Sequence, residues 1–157
     1  SPKYDLIHEF NRDDILKKYN LDDKRYALFM YPRINDLVNT NFMPVLEYLK
    51  SNGYNIITKS RIKDPIQPRD QKRLAPYFYD KTYYPATSLE LMYISDLVVN
   101  TDSCSVKEAV MLNRNVIGIK SKSYGVLPRL YEENAKEKYL WDFNSSEKIY
   151  EHIIKFL

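Results

Sequence analysis

Cations and small hydroxyls at the ends of short apolar runs are the residues of this chain whose types and spacing suit chemistry. Arg33 follows the run Tyr26-Ala-Leu-Phe-Met-Tyr31, and Lys59 and Arg61 follow Tyr54-Asn-Ile-Ile-Thr58. Ser103, Cys104 and Ser105 follow Leu97-Val-Val-Asn100, and Lys120 and Lys122 follow Val116-Ile-Gly-Ile119. Guanidinium and ammonium groups beside hydroxyls at a helix start make an environment for a diphosphate. Ser105-Val-Lys-Glu108 fits a capping box, which marks such a start. Glu108 then either caps the helix or accepts from two vicinal ribose hydroxyls, as a two-oxygen acceptor can. A carboxylate beside a phosphate repels it unless it turns away, so Asp102 is assigned to an Asx-type turn that holds the loop.

Other candidates carry two readings each. Thr87 and Ser88 open a helix whose free amides suit a nucleobase or a phosphate, or they simply cap it. Tyr83 and Tyr84, just upstream, either stack on a base or fill a loop. Cys104 sits where a thiol pKa falls, but His8 and His152 are expected far away, so no Cys–His pair forms and packing is its reading. Neither metal-ligand spacing nor a Ser/His/Asp arrangement is visible. With only Gly53, Gly118 and Gly125, a Walker loop and a GxGxxG fingerprint are both excluded.

These residues need a scaffold, and 157 residues suffice for one domain with a core. Lys plus Arg exceed Asp plus Glu by only 24 to 21, too little to argue for nucleic acid. The 15 tyrosines are scattered and read as ordinary core and surface. One cysteine excludes an internal disulfide and suits a reducing compartment. No apolar run approaches the roughly 20 residues of a membrane span, and no signal-peptide layout opens the chain. The expectation is a cytoplasmic protein with no integral membrane segment.

Helices are expected over 11–20, 38–49 (closed by Ser51-Asn-Gly53), 89–94 and 106–112, and strands over 26–31, 54–58, 97–100 and 116–119. Residues 60–87, with four prolines, read as a long loop holding a short strand or turn near 77–79. A loop-to-helix stretch at 128–138, Trp141 in the core and an amphipathic helix at 145–157 complete the chain. The alternation predicts one α/β domain with a doubly wound, mostly parallel, Rossmann-like sheet. Such sheets bind ligands beyond the carboxyl ends of their strands, which gathers the tips into one site.

Two stretches resemble a known family. Ser1-Pro-Lys-Tyr-Asp5 with Asp22-Asp-Lys-Arg-Tyr-Ala-Leu-Phe29 resembles the join between the halves of GT-B sugar-nucleotide enzymes. Ile94-Ser-Asp-Leu-Val-Val-Asn-Thr-Asp-Ser-Cys-Ser-Val-Lys-Glu-Ala-Val-Met-Leu-Asn-Arg-Asn-Val-Ile117 resembles the signature of their C-terminal domain. Glycosyltransferases, UDP-N-acetylglucosamine 2-epimerases and CDP-glycerol glycerophosphotransferases share it. The resemblance implies a C-terminal nucleotide-sugar-binding domain over residues 1–157, with 1–22 as interdomain join and first helix. It implies a UDP- or CDP-type donor as substrate, no cofactor, and an acceptor-binding N-terminal domain of the same polypeptide, so that the chain is a fragment of a larger enzyme. Surface-polysaccharide or glycan synthesis is the implied pathway. Ser103, Cys104 and Ser105 take the place of the loop that touches the diphosphate, and Glu108 that of the ribose-binding carboxylate. The epimerases and glycerophosphotransferases carry a histidine after the second strand, where Lys59-Ser-Arg61 stands here. Asn113 and Asn115 replace the family's glycine and proline. A glycosyl transfer stabilised by Arg and Lys fits this pattern better, with a non-catalytic scaffold module as the rival from another class.

Overall fold

Short apolar runs rich in Val, Ile and Phe become strands covered on both faces. The computed structural model describes residues 2–33, 37, 41–79, 87–101, 105–119 and 129–130. Its strands are β1 (Tyr26–Met30), β2 (Asn55–Ser60), β3 (Tyr77–Tyr79), β4 (Leu97–Asn100), β5 (Asn115–Gly118) and β6 (Arg129–Leu130). They form one sheet in the order β3-β2-β1-β4-β5-β6, parallel except for the antiparallel β5–β6 pair. A 3-10 stretch, Pro2–Glu9, precedes α1 (Arg12–Lys18), followed by α2 (Met43–Ser51), α3 (Pro68–Gln71), α4 (Thr87–Ile94) and α5 (Ser105–Met111).

Alternate residues of each strand serve separate cores. Leu28, Ile57, Val98 and Val116 pack with α1, α4 and α5 on one face. Ala27, Phe29, Ile56 and Val99 pack with α2, Ile66 and Leu74 on the other. The sheet is therefore doubly wound, as the alternation of elements predicts. Helix α4 is buried nearly all round, so Glu90, at 5% exposure, needs partners inside. Lys18 Nζ supplies two bonds at 2.6 and 2.8 Å, and the Tyr19 hydroxyl donates as well. At the other end of α4, Arg12 donates to the Ile94 carbonyl at 2.6 Å and Arg114 to that of Tyr93 at 2.7 Å. Cations suit the carbonyl end of a helix.

Three helices end alike. Gly53 at φ 82°, Asn20 at φ 52° and Asn113 at φ 57° each turn the chain through the left-handed region. In each case the next residue donates back five positions: Tyr54 to Leu49 at 3.1 Å, Leu21 to Leu16 at 2.9 Å and Arg114 to Ala109 at 2.9 Å. These are Schellman ends, and asparagine stands in for glycine in two of them. Asn113 thus does the work of the glycine that the sequence pattern lacks.

Several boundaries move. Strand β2 runs two residues past the expected end and takes in Lys59 and Ser60. Helix α2 runs over 43–51 rather than 38–49, and residues 38–40 lie outside the described ones. Helix α4 begins at Thr87, so Ser88 lies within its first turn rather than capping it. The stretch expected to run from loop to helix over 128–138 opens instead with β6, which pairs with β5. Trp141 and the helix expected at 145–157 lie outside the described residues.

Two stability measurements follow. Among the described residues a Cβ at Gly53 meets nothing within 4 Å, so the cost of Gly53→Ala is the strain of holding a side chain at φ 82°. Urea unfolding should show a loss of about 1–2 kcal/mol. Thr58 is fully buried, and its hydroxyl has no hydrogen-bond partner among the described residues. Thr58→Val should hold or raise stability by up to about 1 kcal/mol at unchanged m-value, and a clear loss would refute that reading.

Candidate functional site at the carboxyl edge of the sheet

In the order β3-β2-β1-β4-β5 the chain leaves β1 toward one side and β4 toward the other. The crevice of such a sheet opens between these two strands, at their carboxyl ends. Register places the polar residues there. Lys59 lies between Met30 of β1 and Phe78 of β3. Phe29 lies beside Val99, so Asn100 follows at the level of Met30, and Asn100 is itself opposite Gly118. Phe78, Lys59, Met30 and Asn100 therefore form a row across the sheet.

Side chains alternate along a strand, so Lys59 and Asn100 share the face of Ile57 and Val98, the face that α4 and α5 cover. Both are buried, at 5% and 2% exposure. Ser105 opens α5 on the same face, and its hydroxyl donates to Asn100 Oδ1 at 3.0 Å. Thr87, also buried, opens α4, whose residues pack in the same core. Glu108 is half-buried in the first turn of α5. The structure thus brings Lys59, Ser105 and Glu108 to one face of one edge.

The other expected cations are placed differently. Arg61 sits in a tight turn after β2, with its guanidinium 3.8 Å from the Asp64 carboxylate. Ser60 Oγ donates to the Asp64 carbonyl at 2.5 Å and closes that turn. Arg61 therefore shares its charge with a carboxylate of its own loop. Arg33 is exposed just beyond β1, and its carbonyl accepts from Leu37 N at 3.0 Å. Among the described residues no carboxylate pairs with it. Ser103, Cys104 and Tyr84 lie outside the described residues. Among the described residues no group of His, Cys, Asp and Glu could hold a metal ion, and no helix is long and apolar enough to cross a membrane.

Two features escape a reading of the sequence. Asn100 closes an apolar run, and period two turns its amide inward; that polar last letter is the signal. The second is a buried pair on the opposite face. Tyr31 donates to Asp70 Oδ2 at 2.9 Å and accepts from Gln67 N at 3.3 Å. These bonds fasten the 61–76 excursion against the tip of β1, and 39 residues separate the pair, so no local pattern announces it. A hollow of about 530 Å3 lies beside Tyr26 and Asn55, the first residues of β1 and β2, at the opposite edge of the sheet, and one of about 320 Å3 lies beside Phe10, Ile15 and Glu90.

No protein-family model matches the sequence, and no curated protein matches it. Solved structures do. ADP-heptose LPS heptosyltransferase II of E. coli superposes with a TM-score of 0.53 at 15% identity, over 69% of this chain and 36% of its own. A family 9 glycosyl transferase from Veillonella parvula DSM 2008 gives a TM-score of 0.45 at 12% identity, over 70% of this chain and 34% of its own. The likeness is one of fold. It spans about a third of each of those proteins.

Burial, aided by the neighbouring Asp70 carboxylate, pushes the Tyr31 hydroxyl up from 10.0 to about 12. A pKa raised on folding adds stability that is full below the unfolded value and lost as pH rises through the folded one. Tyr31→Phe should cost about 1.5–3 kcal/mol at pH 8, the usual range for a hydrogen bond to a charged group. Denaturation at several pH values should show that difference constant below 10 and shrinking toward 12. A difference that stays level across this window refutes the assignment.

Proposed function

We propose that this chain is the donor-binding part of a glycosyltransferase and holds the nucleoside diphosphate of an activated sugar at the carboxyl edge of its sheet. The observation that carries the reading is the row at the topological switch point, with buried Lys59 and the Asn100–Ser105 pair on one face. A buried cation acts in a low-dielectric setting, where its field on a phosphate is stronger than at the surface. Exposed Arg33 supplies a second positive group at the same edge.

Transfer of a sugar leaves new negative charge on the departing diphosphate. Lys59 and Arg33 oppose that charge as it develops, which is the electrostatic part of such catalysis. Glu108, one turn into α5, accepts from the ribose hydroxyls, and the 103–105 segment and the start of α4 complete the nucleotide's surroundings. Arg61, already paired with Asp64, is a lesser contributor. The acceptor and any general base belong to an N-terminal domain of the same polypeptide, and the product to a surface glycan. Lys59-Ser-Arg61, without a histidine, favours this transfer over epimerase or glycerophosphotransfer chemistry. A UDP- or CDP-type donor is the first expectation; the ADP-heptose named for the E. coli enzyme adds ADP to the candidates.

Calorimetric titration with UDP, CDP and ADP tests this. One of the three should bind, and Lys59→Met and Glu108→Gln should each weaken it by about 1–3 kcal/mol. A folded chain that ignores all three at millimolar concentration is a scaffold, and the proposal falls. Unchanged affinity in either variant removes that residue from the site.

A further inference from the structure

The last residue of β4 and the first of α5 are moored to each other by their side chains. Ser105 Oγ donates to Asn100 Oδ1 at 3.0 Å, with both residues buried. A serine hydroxyl has a single proton. Directed at Asn100, that proton cannot also meet an anion, and the oxygen offers a phosphate only lone pairs. Asn100 is fixed by other means: it ends a strand flanked by β1 and β5, and its carbonyl accepts from Ile119 N at 2.8 Å. The serine is thus the moored partner and the asparagine the post.

We propose that Asn100 is a positioning residue of the nucleoside-diphosphate site and that Ser105 serves through it rather than by donating to phosphate. The pair holds the two ends of the 101–104 connection at a set separation, and the ligand's charge is met by Lys59 and Arg33. This rests on the diphosphate reading above. It reverses the expectation that the Ser105 hydroxyl touches the ligand.

A double-mutant cycle tests it, with ADP, UDP and CDP titrated into the full chain and its variants after thermal unfolding shows each to be folded. Asn100→Ala and Ser105→Ala should each weaken binding about tenfold, and the double variant should be no weaker than either single. Ser105→Thr keeps the donor and should bind as the parent does. Should Asn100→Ala not fold, amide hydrogen exchange decides: Ser105→Ala should speed exchange at residues 105–107 without nucleotide. Unchanged exchange overturns the proposal. Losses that multiply to about a hundredfold in the double variant overturn it too, as does a loss confined to Ser105→Ala. A parent chain silent to all three nucleotides overturns the diphosphate reading and this inference together, whereas binding with multiplying losses overturns this one alone.

Discussion

Parallel neighbours cannot be joined by a hairpin; each connection must travel back across a face of the sheet. That constraint decides where this molecule can have a site. From β1 the chain returns through α2, which packs on the face of Phe29 and Ile56. Into and out of β4 it travels through α4 and α5 on the face of Leu28 and Val98. Between β1 and β4 the two routes part, and a crevice is left that no crossover fills. Lys59, Asn100 and Ser105 take their meaning from lying beside that gap.

Much of the scaffold was legible because its signals are local. The apolar runs at 26–31 and 97–100 became β1 and β4, and Ser51-Asn-Gly53 closed a helix as its letters suggest. Boundaries move where tertiary contacts override local pattern. Lys59 and Ser60 look like a solvated tip, yet Lys59 pairs with β1 on one side and β3 on the other, and Ser60 pairs with Tyr79 of β3, which keeps both in the strand. The short β3 owes its existence to that same pairing, because three residues of Tyr-Phe-Tyr carry little periodicity of their own.

For the candidate site the sequence offers residue types more readily than geometry. Residue types at strand ends named Lys59, Arg61, Ser105 and Glu108, but the face on which each lies depends on register, and register is long-range. Alternation sends Lys59 to the face of α5 and Ser60, one residue on, to the face of Tyr31. Arg61 has the letters of a ligand cation, and the turn that sets Asp64 beside it, three residues on, is not marked in the proline-rich segment. Asn100 is hard to single out because a strand-final asparagine looks like the beginning of a loop.

The left-handed helix ends at Asn20 and Asn113 also bear on the unfolded chain. An asparagine visits far fewer backbone conformations than a glycine, so a polypeptide that reserves glycine for one such end keeps a narrower denatured ensemble. Less disorder then has to be surrendered when the domain assembles. Set against this is the steric cost of holding a β-carbon at positive φ, which asparagine bears more easily than most residues.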